Sequence, residues 1–325
     1  MVSKRSKRRV QWKPQPPQQQ AAASSTYRPW FDRIYDEKYL SLLWISVLLA
    51  VLSIGFLLFK FATTGELIDA GVSLKGGITI TVTTTGTPVA VSDVERLLQE
   101  RLPQNDLVVR EIAEFGVQQA VTIETAPIVG QKVEDLEPLV LSVLESLVPD
   151  ARENYSVETV GSSLGKSFLT QSLIALLAAF VFMSIVVFIA FRTFVPSMAV
   201  ILCVMVDLIE TFAAVSFIGL KLSTAGIAAF LMLVGYSVDT DILLSTRVLK
   251  RKEGSVYSRI KSAVGTGLMM NATTFAAALV GFLVTQSSVI KEIMIILLFG
   301  IVFDIINTWI QNAAILRWYA EKKRL

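Results

Sequence analysis

The sequence of 325 residues contains no histidine and only one cysteine, Cys203. The absence of histidine excludes histidine proton relays and histidine metal sites, and a single cysteine cannot form an intramolecular disulfide. Cys203 lies in an apolar run, where a small packing residue is the simplest interpretation. Charged residues make up only 18% of the chain, hydrophobic residues 53%, and the mean hydropathy is +0.59. This composition excludes an ordinary soluble protein and indicates an integral membrane protein.

Six apolar runs are long enough to cross a membrane as helices. They cover Leu40–Phe59, Phe168–Phe191, Ser197–Leu220, Leu222–Leu244, Ala263–Leu283 and Ile293–Leu316. The sequence therefore predicts an α-helical polytopic membrane protein with six transmembrane helices. We expect residues 39–61 to form the first helix, residues 62–166 a polar domain, and residues 167–317 a five-helix bundle.

Basic residues predict the orientation of these helices. They concentrate in the N-terminal arm (residues 1–38, with a cluster at Lys4–Arg9), in the loop after the fourth helix, and in the tail (residues 318–325). An even number of spans places all three on the cytoplasmic side, and the polar domain outside the cell membrane. The arm is rich in Gln and Pro, so we expect it to be disordered. Its cluster could contact membrane lipids or ribosomal RNA, but an anchor that fixes topology is the plainer interpretation.

The polar domain shows a β-α-β-β-α-β order, which is typical of a ferredoxin-like α+β fold. Strands are predicted at Ile78–Thr84, Leu107–Phe115, Ala120–Thr125 and Asn154–Val160, with a turn at Gly116, and helices at Ser92–Leu102 and Val133–Val148. Ser92 and Glu95 form a capping-box pattern, which predicts that Ser92 caps the first of these helices. Asn154-Tyr155-Ser156 fits a glycosylation acceptor that would face outside.

Two carboxylates, Asp239 and Asp241, lie near the end of the fourth apolar run. An ionised carboxylate in hydrocarbon is costly unless it is paired, hydrated or protonated, so the pair predicts a functional site. Residues two apart point about 200° apart around a helix, so the two cannot face one neighbour. Gly235 would permit close packing beside Asp239. We therefore expect Asp239 in the bundle interior and Asp241 nearer a partner or the cytoplasmic exit.

Further polar residues occur at membrane depth with no buried basic residue to neutralise them. They are Asp207 and Glu210 on the third helix, Asn271, Thr273 and Thr274 on the fifth, and Asp304 and Asn307 on the sixth. Some of these acids must be protonated or paired with a second chain. One interpretation is a proton or ion path, with Asp239 as the proton-responsive acid and Asp241, Asp207 and Asp304 in support. The other is hydrogen bonding between helices.

Two other motifs suggest chemistry that the sequence does not support. Gly161–Ser167 is one residue shorter than a phosphate-binding loop, so a glycine hinge with Lys166 at the membrane interface is preferred to nucleotide binding. Acids on neighbouring helices suggest an intramembrane aspartyl protease, but Gly235–Asp239 does not match its G-x-G-D motif. We therefore expect no enzyme activity, cofactor or metal.

Four segments resemble the SecF family of protein-export membrane proteins. They are Gly71–Gly77 (with Lys75, Gly76 and Gly77), Val160–Lys166, Pro196–Asp207, and Gly235-Tyr236-Ser237 with Arg247. The resemblance covers all but Met1–Lys38. It implies six spans, an outside domain, and action with SecD beside the SecY channel on unfolded secretory proteins. It also implies use of the proton gradient, without nucleotide or specific nucleic acid.

The sequence departs from the common bacterial SecF pattern at three places. Ser73 replaces an aspartate, Asp239-Thr240 replaces Asn-Asp, and no arginine lies near Thr266. These differences suggest the archaeal branch of the family, and sodium could replace the proton. The alternatives are half of a proton-driven small-molecule or lipid exporter of the same superfamily, and a purely structural assembly subunit.

Overall fold

The computed structural model describes residues 39–324 except for 68, 85–87, 115–116, 129–130, 149–150, 252 and 286. The basic arm (residues 1–38) and the turn at Gly116 lie outside the described residues, so both stay predictions. The described part is mostly helical, with one small antiparallel sheet.

The first long helix, α1 (Tyr39–Thr64), leads into a domain built on a four-stranded sheet. In chain order this domain contains α2 (Val72–Lys75), β1 (Gly77–Thr83), α3 (Val91–Arg101), β2 (Leu107–Glu114), β3 (Val117–Thr125), a 3-10 turn (Val133–Asp135), α4 (Leu136–Glu145) and β4 (Tyr155–Val160). The strand order is β2-β3-β1-β4, and every neighbouring pair is antiparallel. The four strands and the two longer helices occur in the predicted order, whereas the short helix α2 was not predicted.

One face of the sheet forms the core of this domain. Ile78, Ile80 and Val82 alternate inward along β1, as the period of two requires for a half-buried strand. They pack with Leu98 of α3 and Leu144 of α4, which are fully buried. Two helices therefore cover the same face of the sheet.

The predicted cap of α3 is wrong. The helix begins at Val91 with Ala90 at the N-cap and no side-chain capping bond, so Ser92 lies inside the first turn. The Gln118 side chain accepts a hydrogen bond from Val89 N (2.6 Å) and donates one to Val89 O (2.9 Å). These bonds hold Val89 to β3, so the helix starts directly after it and does not depend on a capping box.

Five helices of the described residues are long and apolar enough to cross a membrane. They are α1 and, after the sheet domain, α5 (Ser162–Phe191), α6 (Phe194–Phe217), α7 (Thr224–Lys250) and α8 (Val256–Val284). The chain ends in α9 (Ser288–Ile306), a π-helical segment (Asn307–Asn312) and α10 (Ala313–Lys323). The sixth predicted span thus corresponds to α9, the π segment and the start of α10. Lys291, Glu292 and Asp304 place three charges in the 19 residues of α9, whereas each of the other five helices contains an 18-residue stretch with at most two.

The sheet domain is joined to one end of the helices by backbone contacts. Leu222 N donates to Asp69 O and Gly71 N donates to Leu222 O, both at 2.7 Å. Lys60, near the end of α1, forms an ion pair with Asp69 and a hydrogen bond with Ser216. We call this the sheet side of the bundle and the opposite end the far side.

The glycines of the two resembling motifs pack against each other at this junction. A Cβ on Gly165 of α5 would lie 2.9 Å from the carbonyl carbon of Lys75, so the backbones could not stay this close with a larger residue. Gly76 has φ +86°, a conformation that favours glycine. Gly161 caps α5 directly after β4. The motifs therefore serve close packing between the sheet domain and α5.

Candidate functional site

The buried side of α7 is the opposite of the predicted one. Asp241 is fully buried together with Ser237 and Ser245, which lie one turn away on either side. Asp239 and Gly235 are exposed on this chain, and a Cβ built on Gly235 would meet no atom within 4 Å apart from the adjoining backbone of its own helix. The expected placement of Asp239 in the bundle interior is therefore wrong, and Asp241 is the α7 carboxylate that faces the neighbouring helices.

The π segment supplies most of the neutral polar groups around the acids. Asn307, Thr308, Gln311 and Asn312 are all at least 96% buried. A π-helical turn is rare and is frequently found at functional sites, because it redirects side chains that an α-helix would point elsewhere. Here it brings four polar residues of six into the interior of the bundle.

The half of the polar network nearer the sheet side contains two acids of α6. Asn307 Nδ2 donates to Asp207 Oδ1 at 2.8 Å and to Glu210 Oε2 at 2.7 Å. Ser237 Oγ donates to the other Asp207 oxygen at 2.5 Å. Asp207 and Glu210, both fully buried, are therefore linked by the two donor hydrogens of one amide group.

The half nearer the far side joins Asp304 of α9 to Asp241 of α7. Thr308 Oγ1 lies 3.0 Å from Asp241 Oδ1 and 3.1 Å from Asp304 Oδ1. Asn312 Nδ2 donates to Asp241 at 2.7 Å, and Thr240 Oγ1 lies 3.0 Å from Asp304. The Thr240 hydroxyl also bonds the backbone oxygen of Ser237, so the two halves adjoin on α7.

Helix α8 contributes one residue of the predicted set to this network. Asn271 Nδ2 donates to Asp304 Oδ2 at 3.0 Å, and its oxygen accepts from the Tyr236 hydroxyl at 3.0 Å. Thr273 and Thr274 both bond the backbone oxygen of Met270 on their own helix. Asn271 is thus in the site, and the Thr274 side chain also bonds Tyr236 of α7, whereas the Thr273 hydroxyl bonds its own helix.

Sequence reasoning missed the contribution of α1. Its two buried residues, Ser46 and Ser53, are both polar and lie seven residues apart, hence on one face of the helix. Ser46 Oγ bonds Asn307 Oδ1 and donates to Gln311 Oε1 at 2.8 Å. A seven-residue spacing of serines in an otherwise apolar run was the signal that could have identified them.

Arg247 of α7, a basic residue of the predicted set, lies apart from the acids. Its guanidinium donates to Ser262 O and Oγ, both at 2.7 Å, and to Thr266 Oγ1 at 2.9 Å. Arg247 of α7 therefore places a guanidinium beside Thr266 of α8, where the bacterial pattern has an arginine on the helix itself.

The acids of the network receive hydrogen bonds from neutral donors only, as far as the described residues show. The donors to Asp207, Glu210, Asp241 and Asp304 are serine, threonine and asparagine side chains and the thiol of Cys203, which bonds Asp241. Neutral donors do not cancel the charge of several buried carboxylates, so some of these acids must carry a proton. The described residues contain no group of three potential ligands suited to a metal ion. The site can therefore store and move protons within a membrane bundle.

Long apolar helices, a small antiparallel sheet domain and a buried network of acids with neutral polar partners define a multi-pass membrane protein. The family model described as "Protein export membrane protein SecD/SecF, C-terminal" matches residues 140–322. The SecF protein-export membrane protein of Methanolacinia petrolearia is 36% identical over 277 residues, which cover 84% of this chain and 91% of the relative. That of Methanothermobacter thermautotrophicus is 38% identical over 282 residues, which cover 85% and 92%. The chain belongs to the SecF family of protein-export membrane proteins.

A solved structure supports the fold. The crystal structure of SecDF, a translocon-associated membrane protein from Thermus thermophilus, aligns with a TM-score of 0.66 at 21% identity. The alignment covers 90% of this chain and 39% of that chain. At this identity the likeness concerns the fold alone. The sequence relatives are archaeal, which agrees with the branch that the departures from the bacterial pattern suggested.

Proposed function

We propose that this chain is an auxiliary subunit of the Sec export machinery that works with SecD and uses the proton gradient to promote late translocation. The observation that carries the proposal is the buried network in which Asp207, Asp241 and Asp304, from three helices, meet only neutral donors of the described residues. A carboxyl in such a site changes the hydrogen bonds of its neighbours when it gains or loses a proton. Membership of the SecF family supplies the export role.

The topology that fits this role has six transmembrane helices, with α9 and the π segment as the sixth. In this arrangement both termini and residues 318–325 are cytoplasmic, and residues 62–166 form an extracytoplasmic domain of ferredoxin-like type. The β-α-β-β-α-β order and the 2-3-1-4 strand order support the fold assignment. The Lys/Arg residues of the far-side loops and tail support the orientation.

The exposed face of α7 is the proposed contact with SecD. Asp239 lies 15 residues after Thr224 and 11 before Lys250, which places it near the middle of a span. A carboxylate there that faced lipid would be costly, so a partner chain or water must meet it. Gly235 on the same face permits close approach of another helix. Asp239 would then act at the interface with the partner, while Asp241 acts inside this chain.

The test is pulse-chase labelling of secreted-protein maturation in cells that depend on this chain, with and without an uncoupler. In cells that carry Asp304→Asn or Asp241→Asn, we expect secreted proteins to mature as slowly as in wild-type cells treated with the uncoupler. Addition of the uncoupler to the variant cells should have no further effect. Asp239→Asn is the comparison, since it removes a carboxylate outside the network. Immunoblots of the assembled complex show whether each variant is present at the wild-type level.

The outcomes separate the alternatives. Normal maturation in Asp304→Asn and Asp241→Asn, with the complex intact, would exclude proton coupling through the network and leave a structural role. If only Asp239→Asn makes maturation independent of the proton gradient, the acid that couples export to the gradient is Asp239 at the partner interface. Altered efflux or lipid content with normal secretion would favour the small-molecule exporter.

A further inference from the structure

A crevice of about 330 Å³ opens on the surface between α1, α6 and α9. Its lining is apolar except for Ser53 of α1 and Glu210 of α6. Phe56 and Phe217 lie at one end, with ring centroids 5.6 Å apart in an edge-to-face arrangement. Phe217 and Ile218 end α6 on the sheet side, so the crevice extends from that end of the bundle to Glu210, where it meets the polar network.

Glu210 has one oxygen in the network and one that is free for another partner. Its Oε2 accepts from Asn307 at 2.7 Å, whereas its Oε1 has no hydrogen-bond partner among the described residues. The side chain is fully buried. A buried carboxylate oxygen without a partner is costly, and a proton or a water molecule from the crevice would remove that cost.

Glu210 is also the acid of the network nearest the sheet side. It lies seven residues before the end of α6 at Phe217, or about 10 Å along the helix. Asp207 is ten residues from that end, about 15 Å. Asp304 and Asp241 lie 16 and 17 residues into helices that start on the sheet side, roughly 24–26 Å. The acids thus form a series from Glu210 to Asp241 across the bundle.

The chemistry of the crevice fits a proton better than a metal cation. Hard cations are held by several oxygen ligands at once. The lining of the crevice offers the Glu210 carboxylate and the Ser53 hydroxyl, and its remaining residues are apolar. A proton needs only one oxygen, which Glu210 Oε1 provides.

We propose that Glu210 is the port through which the network takes up protons from the sheet side, by way of this crevice. A hydronium ion that enters the crevice transfers its proton to Oε1, which leaves water and a neutral carboxyl group. Because Glu210 is buried, entry requires a side chain of the crevice wall to rotate. The inference rests on the proposed function for its purpose, but the port itself can be tested without an export assay.

Asn307 links the protonation state of Glu210 to Asp207, which lies deeper in the bundle. Its amide group carries two hydrogens and donates to both Glu210 and Asp207, so one planar group links the two carboxylates. Hydrogen bonds to a charged acceptor are stronger than those to a neutral one. When Glu210 becomes neutral, the amide strengthens its bond to Asp207, and the state of the port reaches the next acid.

The first test is labelling of native membranes with dicyclohexylcarbodiimide, an apolar reagent that modifies protonated carboxyl groups, followed by peptide mass spectrometry. We expect Glu210 to carry most of the label, and Asp241 and Asp304 little. Ala214→Phe, one turn from Glu210 in the crevice wall, should abolish labelling, and Ser53→Leu should reduce it from the α1 side. Met205→Phe is the control, since Met205 is an exposed residue of the same helix outside the crevice.

The second test is the pulse-chase assay with Glu210→Gln, beside Glu210→Asp and Asp304→Asn. Label on Glu210 that the crevice variants prevent, together with lost gradient dependence in Glu210→Gln and partial recovery in Glu210→Asp, supports the port. No label on Glu210, or equal label in Ala214→Phe and Met205→Phe, overturns it. Normal export in Glu210→Gln while Asp304→Asn fails also overturns the port but leaves the proposed function standing. Normal export in both variants contradicts the proposed function itself.

Discussion

Replacement of Thr308 by valine should separate the two acids of the far-side half of the network. The Thr308 hydroxyl has one hydrogen, yet it lies within 3.1 Å of both Asp241 Oδ1 and Asp304 Oδ1. A hydroxyl can donate to only one acceptor fully but can accept from another group. One of the two carboxyls is therefore expected to be protonated and to donate to Thr308. Valine has nearly the same shape and can do neither.

The expected size of the effect follows from the bonds that are lost. A hydrogen bond to a charged group contributes about 1.5–3 kcal/mol, and each 1.4 kcal/mol is a factor of about ten in an equilibrium. Thr308→Val should thus shift the proton distribution between Asp241 and Asp304 by roughly tenfold to hundredfold. The measurement is the rate of secreted-protein maturation across a series of uncoupler concentrations. The variant should lose most of the gradient-dependent part of the rate.

Thr273→Val is the matched control for this change. The Thr273 hydroxyl donates to Met270 O on its own helix at 2.8 Å, and its side chain is exposed. The same substitution there removes a hydroxyl from a transmembrane helix without touching an acid. The reasoning is refuted if Thr308→Val keeps the wild-type response, or if Thr273→Val loses it to the same extent.

Three further predictions concern stability and packing. Gly165→Ala should destabilise the protein by about 1–2 kcal/mol, because its Cβ would meet the backbone of Lys75 and Gly76, whereas Gly235→Ala should be neutral or stabilising by up to ~1 kcal/mol. Thermal unfolding of the purified chain compares them, and equal midpoints would contradict the packing argument. Glu292→Ala removes the acceptor of hydrogen bonds from Ser223 N (2.7 Å) and Oγ (2.8 Å). The free energy of unfolding should therefore fall by about 1.5–3 kcal/mol. Lys291→Ala is the control in the same thermal assay and should have a smaller effect. Cys203 is fully buried, so maleimide should label it only on unfolding. A cysteine introduced by Glu95→Cys, at an exposed position, should react at once and is the control. Rapid labelling of Cys203 in the native protein would show that the surrounding helices open.

The order of the elements was predictable because local composition and hydrophobic runs report it directly. Enrichment in Ile, Val and Thr predicted β1, and long uncharged runs predicted α1 and α5, whose bounds agree with the prediction to within six residues at each end. The acids of the network were also identifiable, since a carboxylate in an apolar run is conspicuous. The family followed from short motifs, and the comparisons confirm it.

The side of α7 that faces the bundle was not predictable from its own residues. Helical spacing shows that Asp239 and Asp241 point in different directions, but both faces of α7 carry small and polar residues. The buried face of α7 is determined by hydrogen-bond partners outside α7, since Thr308 and Asn312 donate to Asp241. These partners lie on a π segment, whose formation depends on tertiary contacts that local propensity does not encode.

The π segment connects two sets of contacts. It carries side chains of the buried polar network, and it also sets the orientation of α10. Beyond it, Arg317 of α10 lies 4.4 Å from the centroid of the Tyr39 ring and bonds Glu321, and the Tyr39 hydroxyl donates to Glu321. A π turn holds one more residue than the α turn it replaces, so loss of one residue here would rotate α10 by about 100° relative to α9. Such a deletion would release the start of α1 and misalign the acids in one step. Any motion that winds or unwinds this turn would therefore couple the position of the buried acids to the orientation of α10 at the far side.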